Sequence, residues 1–205
     1  MAVCLGVLMW DLIERNPEVP SLMRLVWTMT VLYSGPLGLF LYWHTGRKQI
    51  TRDSIWRKGW RSTAHCYSGC GMGEIIGVVI TSAILSLGST WVAVVTFVLA
   101  YIMGFSLTAG PLIQEGEPTH RALVDAFYSE TASIAAMECS AIAINLWLGA
   151  NTKLHEPLFW GSLVFSLTMG LFAAYPVNLL LLHYGIKEGM HDPREMARHD
   201  MAHQN

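Results

Sequence analysis

Charge is what this sequence has least of. Asp, Glu, Lys and Arg make up 14% of its 205 residues, against about a quarter in ordinary soluble domains. The formal net charge of −2 offers nothing to a polyanion, so a nucleic-acid partner is not expected. Cysteine is scarce too. Cys4, Cys66, Cys70 and Cys139 do not make the disulfide framework of a small secreted domain. No stretch alternates apolar and polar residues with period 2, which excludes a transmembrane strand barrel. Residues 2–10 are apolar, but no basic stretch precedes them and no small-residue cleavage site follows, so a cleavable leader is not expected.

Apolar residues fill the space that charge leaves, at 53% of the chain. A membrane-crossing helix needs roughly 20 of them in a row. Five segments qualify: Leu22–Trp43, Ala64–Leu87, Trp91–Ile113, Leu123–Ala150 and Leu158–Tyr184. Ala2–Ile13 is shorter and reads as a half-span, a re-entrant piece or an interfacial helix ended by Asp11, Glu14 and Pro17. The expected fold is an all-α polytopic bundle of five full spans plus that short helix. It forms one transmembrane domain over residues 1–190, with a tail over 191–205. Lys and Arg give the orientation. Arg47, Lys48, Arg52, Arg57, Lys58, Arg61, Arg121, Lys187, Arg194 and Arg198 fall on one side, against Arg15, Arg24 and Lys153 on the other. The basic side, with the C-terminus, is expected to be cytoplasmic in an inner or plasma membrane. Its lysines and arginines would meet anionic lipid.

The most informative run is His65-Cys66-Tyr67-Ser68-Gly69-Cys70-Gly71-Met72-Gly73-Glu74. Ionisable groups in hydrocarbon cost several kcal/mol unless paired or metal-bound. Thiol, imidazole and carboxylate together form the ligand set of a soft or borderline cation. At 100° per residue, His65, Cys66, Cys70 and Glu74 share about half of the helix circumference with Gly69, Gly73 and Gly77. The glycines make a small-residue ridge that admits a neighbouring helix closely. That neighbour is either internal or a second copy of the chain in a homo-oligomer. Tyr67, Ile75, Val78 and Val79 occupy the remaining half and are expected to face lipid. A Cys66–Cys70 disulfide is not expected at this spacing on the reducing side.

In the fourth expected span, Glu130, Met137, Glu138, Ala141 and Asn145 share a face. Counted from the span ends, Glu130 and Glu74 sit at matching depth, so these two carboxyls are expected to share a cation or a proton. Glu130, Glu138 and Asn145 then read as a path, to which Asn178 and His183 of the last span belong. Pro36, Pro111 and Pro176 each remove a backbone donor, and freed carbonyls are tolerated only against protein or a lined cavity. The tail interleaves His191, His199 and His203 with Met190, Met196 and Met201, side chains that bind soft cations.

Val26-Trp27, Leu32-Tyr33-Ser34-Gly35-Pro36-Leu37, Tyr42, Gly46-Arg47, the His-Cys-x-x-Gly-Cys-x-x-Gly-Glu run, Pro176-Val177-Asn178 and Gly185-Ile186-Lys187-Glu188 together resemble a family of small prokaryotic membrane proteins known only as a domain of unknown function. The resemblance covers roughly residues 10–190. The chain departs from the family pattern at Thr28, where Pro is usual, and in a shorter first apolar segment. Some relatives carry copper-protein labels, so the resemblance implies a metal role without a reaction.

Three functions fit these residues. The first is a membrane metal-binding or metal-transport protein, with copper favoured over zinc or iron. Its ligands would be His65, Cys66, Cys70, Glu74 and Glu130, and metal entry would release thiol protons. The second is a membrane redox enzyme holding a metal or haem between helices, with His65 and His183 as axial candidates. Haem is not expected, since no second opposed His pair accompanies them. The third is a proton or ion channel, or an assembly protein, whose cysteines are incidental.

Overall fold

A computed structural model of the chain describes residues 1–50, 52–114, 116–149, 156–190 and 194. Every regular element among them is helical. Helix α1 (Ala2–Trp10) runs into one π turn (Asp11–Arg15). Helices α2 (Ser21–Ser34) and α3 (Pro36–Thr45) follow, then α4 (Ile55–Val78) with a π extension (Val79–Ile84). Helices α5 (Ser89–Gln114), α6 (Thr119–Gly149) and α7 (Pro157–His183) complete the bundle.

Of the five expected spans, the last three stand: α5, α6 and α7 are long and apolar enough to cross a membrane. The first is corrected. It breaks at Gly35, whose φ of 56° no ordinary side chain adopts cheaply, and Pro36 opens the next helix at its first position. Beyond the break, α3 folds back on α2, so that a Cβ on Gly38 would sit 2.6 Å from the Thr30 carbonyl oxygen. At 1.5 Å per residue the two pieces are ~20 and ~15 Å long, and neither crosses a ~30 Å hydrocarbon core.

The second expected span becomes the centre of the bundle rather than an apolar wall. Residues 61 to 71 of α4 are all buried, as in a core helix surrounded on every side. It packs against α2, α3, α5, α6 and α7. This explains how α4 carries Arg61, His65 and Glu74 without meeting lipid. The lipid face expected for it is therefore also corrected. Tyr67 and Val78 are buried; Tyr67 accepts a hydrogen bond from Ser34 at 3.0 Å and meets Tyr33 edge-on at 5.6 Å. Val79, on the π extension, is exposed.

The Gly69–Gly73–Gly77 ridge is spent inside the chain. Cβ atoms on these glycines would lie 2.8 Å from Gly104 Cα, 2.5 Å from Ala100 Cα and 2.9 Å from Thr96 Cα respectively. The partner positions descend by four as the glycines ascend by four, the signature of an antiparallel pair seamed by small residues.

The N-terminal segment is anchored by a feature invisible to hydropathy. Asp11 is fully buried and accepts hydrogen bonds from Arg47 (2.7 and 3.1 Å), Tyr42 (2.7 Å) and Asn16 (2.8 Å). Arg61, also buried, pairs with Asp53 at 2.6 Å and donates to the carbonyls of Thr45 and Met190.

Candidate functional site

Buried hydroxyls in this bundle satisfy themselves locally. Thr30, Thr45, Thr63 and Thr81 each donate to the carbonyl four residues back, and Ser68 and Ser166 to the carbonyl three back. Backbone groups exposed by a helix turn are the nearest acceptors, so such residues cost the membrane interior little. Carboxylates have no such option, since a helical carboxylate finds no free N–H on its own helix, and an imidazole satisfies at most one nitrogen this way, as His44 does on the Phe40 carbonyl.

Three such groups stand out. Both ring nitrogens of His65, one oxygen of Glu74 and both oxygens of Glu138 are buried with no hydrogen-bond partner among the described residues. Each buried polar group left unmet costs about 1–3 kcal/mol, which a fold retains only where the group has a use or an occupant. Glu138 faces Glu74 and Cys66 electrostatically, and the Cys70 thiol lies beside it, yet its oxygens receive no hydrogen bond.

The thiols complete the cluster. Cys66 and Cys70, both fully buried, stand one helical turn apart with their sulfurs at 3.9 Å. They are free thiols. That separation has a chemical meaning. An ion held ~2.3 Å from each sulfur would subtend an S–ion–S angle of about 115°, between tetrahedral and trigonal. Gly104 on α5 keeps the space, since a Cβ there would press Cys70 Sγ at 2.9 Å. On α6, Ser133 approaches Cys66 Sγ at 3.8 Å. Cys66 therefore lies level with Ser133, and the next turns of α4 lie level with Glu138, because α4 and α6 run in the same direction on either side of the returning α5.

This register separates the expected ligands. Glu138 faces Glu74 and Cys66, while Glu138 and Glu130 both lie within electrostatic reach of Cys70. Glu130 has its own partner: Lys187 Nζ, 2.7 Å from its Oε1, with both side chains buried. Thr108 also donates to Oε1 at 3.0 Å, and Ser133 reaches Oε2 at 3.5 Å. Lys187 donates further to Asn178 Oδ1 at 3.0 Å. The pairing of Glu74 with Glu130 inferred from depth is thus replaced by two layers, an ion pair below and an open thiol–carboxylate cluster above. His65 lies within electrostatic reach of Lys187. Among the described residues, no three His, Cys, Asp or Glu side chains are grouped closely enough to hold a metal ion.

The remaining candidates disperse. Asn145 is half-buried and accepts from Ser162 of α7 at 3.5 Å. His183 is exposed and rests edge-on against Tyr184, so it does not oppose His65. Cys139 is exposed. His191, His199, His203, Met196 and Met201 lie outside the described residues. Lys187 stands in the sequence as a topology charge and as part of the Gly185–Glu188 resemblance, with no site role expected of it. Its signal was Gly185, one residue beyond the end of a helical period, where a left-handed glycine turns the chain back.

Residues 55–187 match the family described as a domain of unknown function (DUF4396). The chain belongs to this family. The match begins with α4 and ends on Lys187, so the family's shared region contains the thiol pair, all the buried carboxylates of α4 and α6, and the ammonium that answers Glu130. It leaves out α1 to α3 and the Asp11 network. No curated protein and no solved structure matches the chain.

Proposed function

We propose that this is an integral membrane cation-handling protein that binds a soft or borderline metal ion, copper ahead of zinc or iron, between α4 and α6 and exchanges it for protons. Cys66 and Cys70 are the primary ligands, Glu138 supplies a third donor, and Glu74 a fourth or a proton acceptor. The observation that carries the reading is the 3.9 Å sulfur separation beside three carboxylate oxygens, both of Glu138 and one of Glu74, that accept no hydrogen bond within the distance and angle limits of one. Metal binding by thiols releases protons, and the unpaired carboxyls are the groups positioned to take them. The metal is cargo in this reading, and the basic loop faces the cytoplasm.

The test is a competition titration of purified protein with a chromogenic copper(I) or zinc chelator. The wild type should withdraw one equivalent of metal. Cys66→Ser/Cys70→Ser should withdraw none, and Glu138→Gln should bind at least about tenfold more weakly, a loss of one ligand's contribution. Equal binding by all three proteins would overturn the assignment.

One observation favours a second reading. The buried Lys187–Glu130 pair beneath the partnerless oxygens of Glu138 and one of Glu74 also suits a proton or ion path whose cysteines are incidental. In that case Glu74→Gln would abolish ion movement in vesicles, while Cys66→Ala/Cys70→Ala would leave it intact.

A further inference from the structure

Lys187 does not reach Glu130 by chance of a flexible tail. Helix α7 ends in a defined reversal: Gly185, at φ 68°, donates to the Leu182 carbonyl, and Ile186 donates to the Leu181 carbonyl. This is the paired-bond helix stop in which a left-handed glycine folds the chain back on its own last turn. The backbone N–H of Lys187 also reaches Leu181. The following residues dock on α4. Met190 N–H donates to Ser62 Oγ at 3.1 Å, Arg61 holds the Met190 carbonyl at 3.2 Å, and a Cβ on Gly189 would meet Ser62 Oγ at 2.9 Å. The hook over residues 185–190 thus seals the Ile55 end of α4 and inserts one ammonium into the bundle.

The ammonium lands in an oxygen-lined site. Glu130 Oε1 and Asn178 Oδ1 accept from it at 2.7 and 3.0 Å. The Thr108 and Ser133 hydroxyls complete the oxygen set around Glu130. Carboxylate, amide and hydroxyl oxygens together are donors for a small hard or borderline cation. We propose that Glu130, Asn178, Thr108 and Ser133 form a second cation subsite, distinct from the thiol pair, whose resident cation is the tethered Lys187 ammonium. A metal ion entering from this end displaces Lys187 from Glu130, and the hook swings out carrying its charge with it. Ser133 joins the two layers, because its hydroxyl approaches both Glu130 Oε2 and Cys66 Sγ. The inference goes beyond the metal reading of the thiol cluster and stands or falls on different residues.

The probe is Mn(II), which prefers oxygen over sulfur and loses its free-ion electron paramagnetic resonance signal when bound. A tethered competitor lowers apparent affinity by the fraction of time that it vacates the site. Freeing a subsite closed by a buried ion pair should therefore tighten binding by at least about a hundredfold. Lys187→Met should bind one equivalent of Mn(II) that the wild type binds only weakly. Lys187→Met/Glu130→Gln should lose it, and Lys187→Met/Cys66→Ser/Cys70→Ser should keep it. The last pair separates this subsite from the thiol site, whose failure would show only in copper or zinc binding. A measurement on the wild type covers the case in which Lys187→Met does not fold. Acylation of the Lys187 amine by a small water-soluble ester, read by mass spectrometry, should rise with Mn(II) concentration as the ammonium is displaced. A folded Lys187→Met that binds no Mn(II), or Lys187 acylation indifferent to Mn(II), would overturn the proposal.

Discussion

Gly73→Ala should loosen the whole site from the glycine ridge beside the ligands. The added Cβ would lie 2.5 Å from both the N and the Cα of Ala100, and would also press the Leu99 carbonyl oxygen. All of these are backbone atoms, so no side chain can swing away. Restoring an ordinary carbon contact of about 3.5–4 Å requires α4 and α5 to part by about 1 Å, and a gap of that size forfeits up to half of each neighbouring dispersion contact. Overpacking of this kind costs about 1–3 kcal/mol, and the better helix propensity of Ala returns at most ~1 kcal/mol. The net loss should lower the melting temperature by several degrees in a chain of this size, at about 2–4 °C per kcal/mol. The controls are Gly110→Ala and Gly161→Ala, where a Cβ meets nothing within 4 Å. Thermal unfolding in detergent decides it. If Gly73→Ala melts with or above the wild type, as the controls should, the close α4–α5 seam is refuted.

Other perturbations probe the remaining contacts. Glu130→Gln strands the buried Lys187 ammonium and should cost about 3–5 kcal/mol, whereas Glu130→Gln/Lys187→Met should recover much of it, because removing both partners removes the unpaired charge; a double-mutant cycle from chemical denaturation checks the non-additivity. Asp11→Asn leaves Arg47 and Tyr42 facing a neutral group and should cost at least ~2 kcal/mol, visible as faster proteolysis of the segment before α2. The Glu18 carboxyl is held below its ordinary pKa by the hydrogen bond and charge of Lys48, which lies 2.7 Å away. Its folded pKa is the depressed one, so its small stabilisation is present at neutral pH and fades as pH falls through that lowered value. The pair is exposed, so salt should weaken it further. Glu18→Gln should remove this acid-dependent component from a melting curve measured against pH.

The arrangement around α4 was readable where helical periodicity governs it. Cys66, Cys70 and Glu74 fall on one line of the helix beside a glycine ridge, and any neighbour close enough to use the ridge must leave those side chains facing protein. Depth was not readable. Counting from hydrophobic edges set Glu130 opposite Glu74, but α4 begins at Ile55, well before its apolar stretch. Side-chain packing sets the real register, with Ser133 beside Cys66. The error is about ten residues, or roughly 15 Å of helix rise, enough to exchange one glutamate for another. Nor was the lipid face of α4 readable, since Tyr67 and Val78 are as apolar in a core as in a membrane. The reversal at Gly35 was not readable, because Pro36 alone does not distinguish a bend from a helix start. Lys187 and Asp11 were missed for one reason. A charge near a helix end looks like a topology or interface residue until the chain is known to fold back.

X-ray absorption at the metal edge of zinc- or copper(I)-loaded protein tests the central claim most directly. The account predicts sulfur scatterers near 2.3 Å from the ion, with oxygen completing the shell in the wild type, and their disappearance in Cys66→Ser/Cys70→Ser. A loaded protein whose metal shell contains only oxygen and nitrogen, or whose shell is the same in the serine variant, would contradict it.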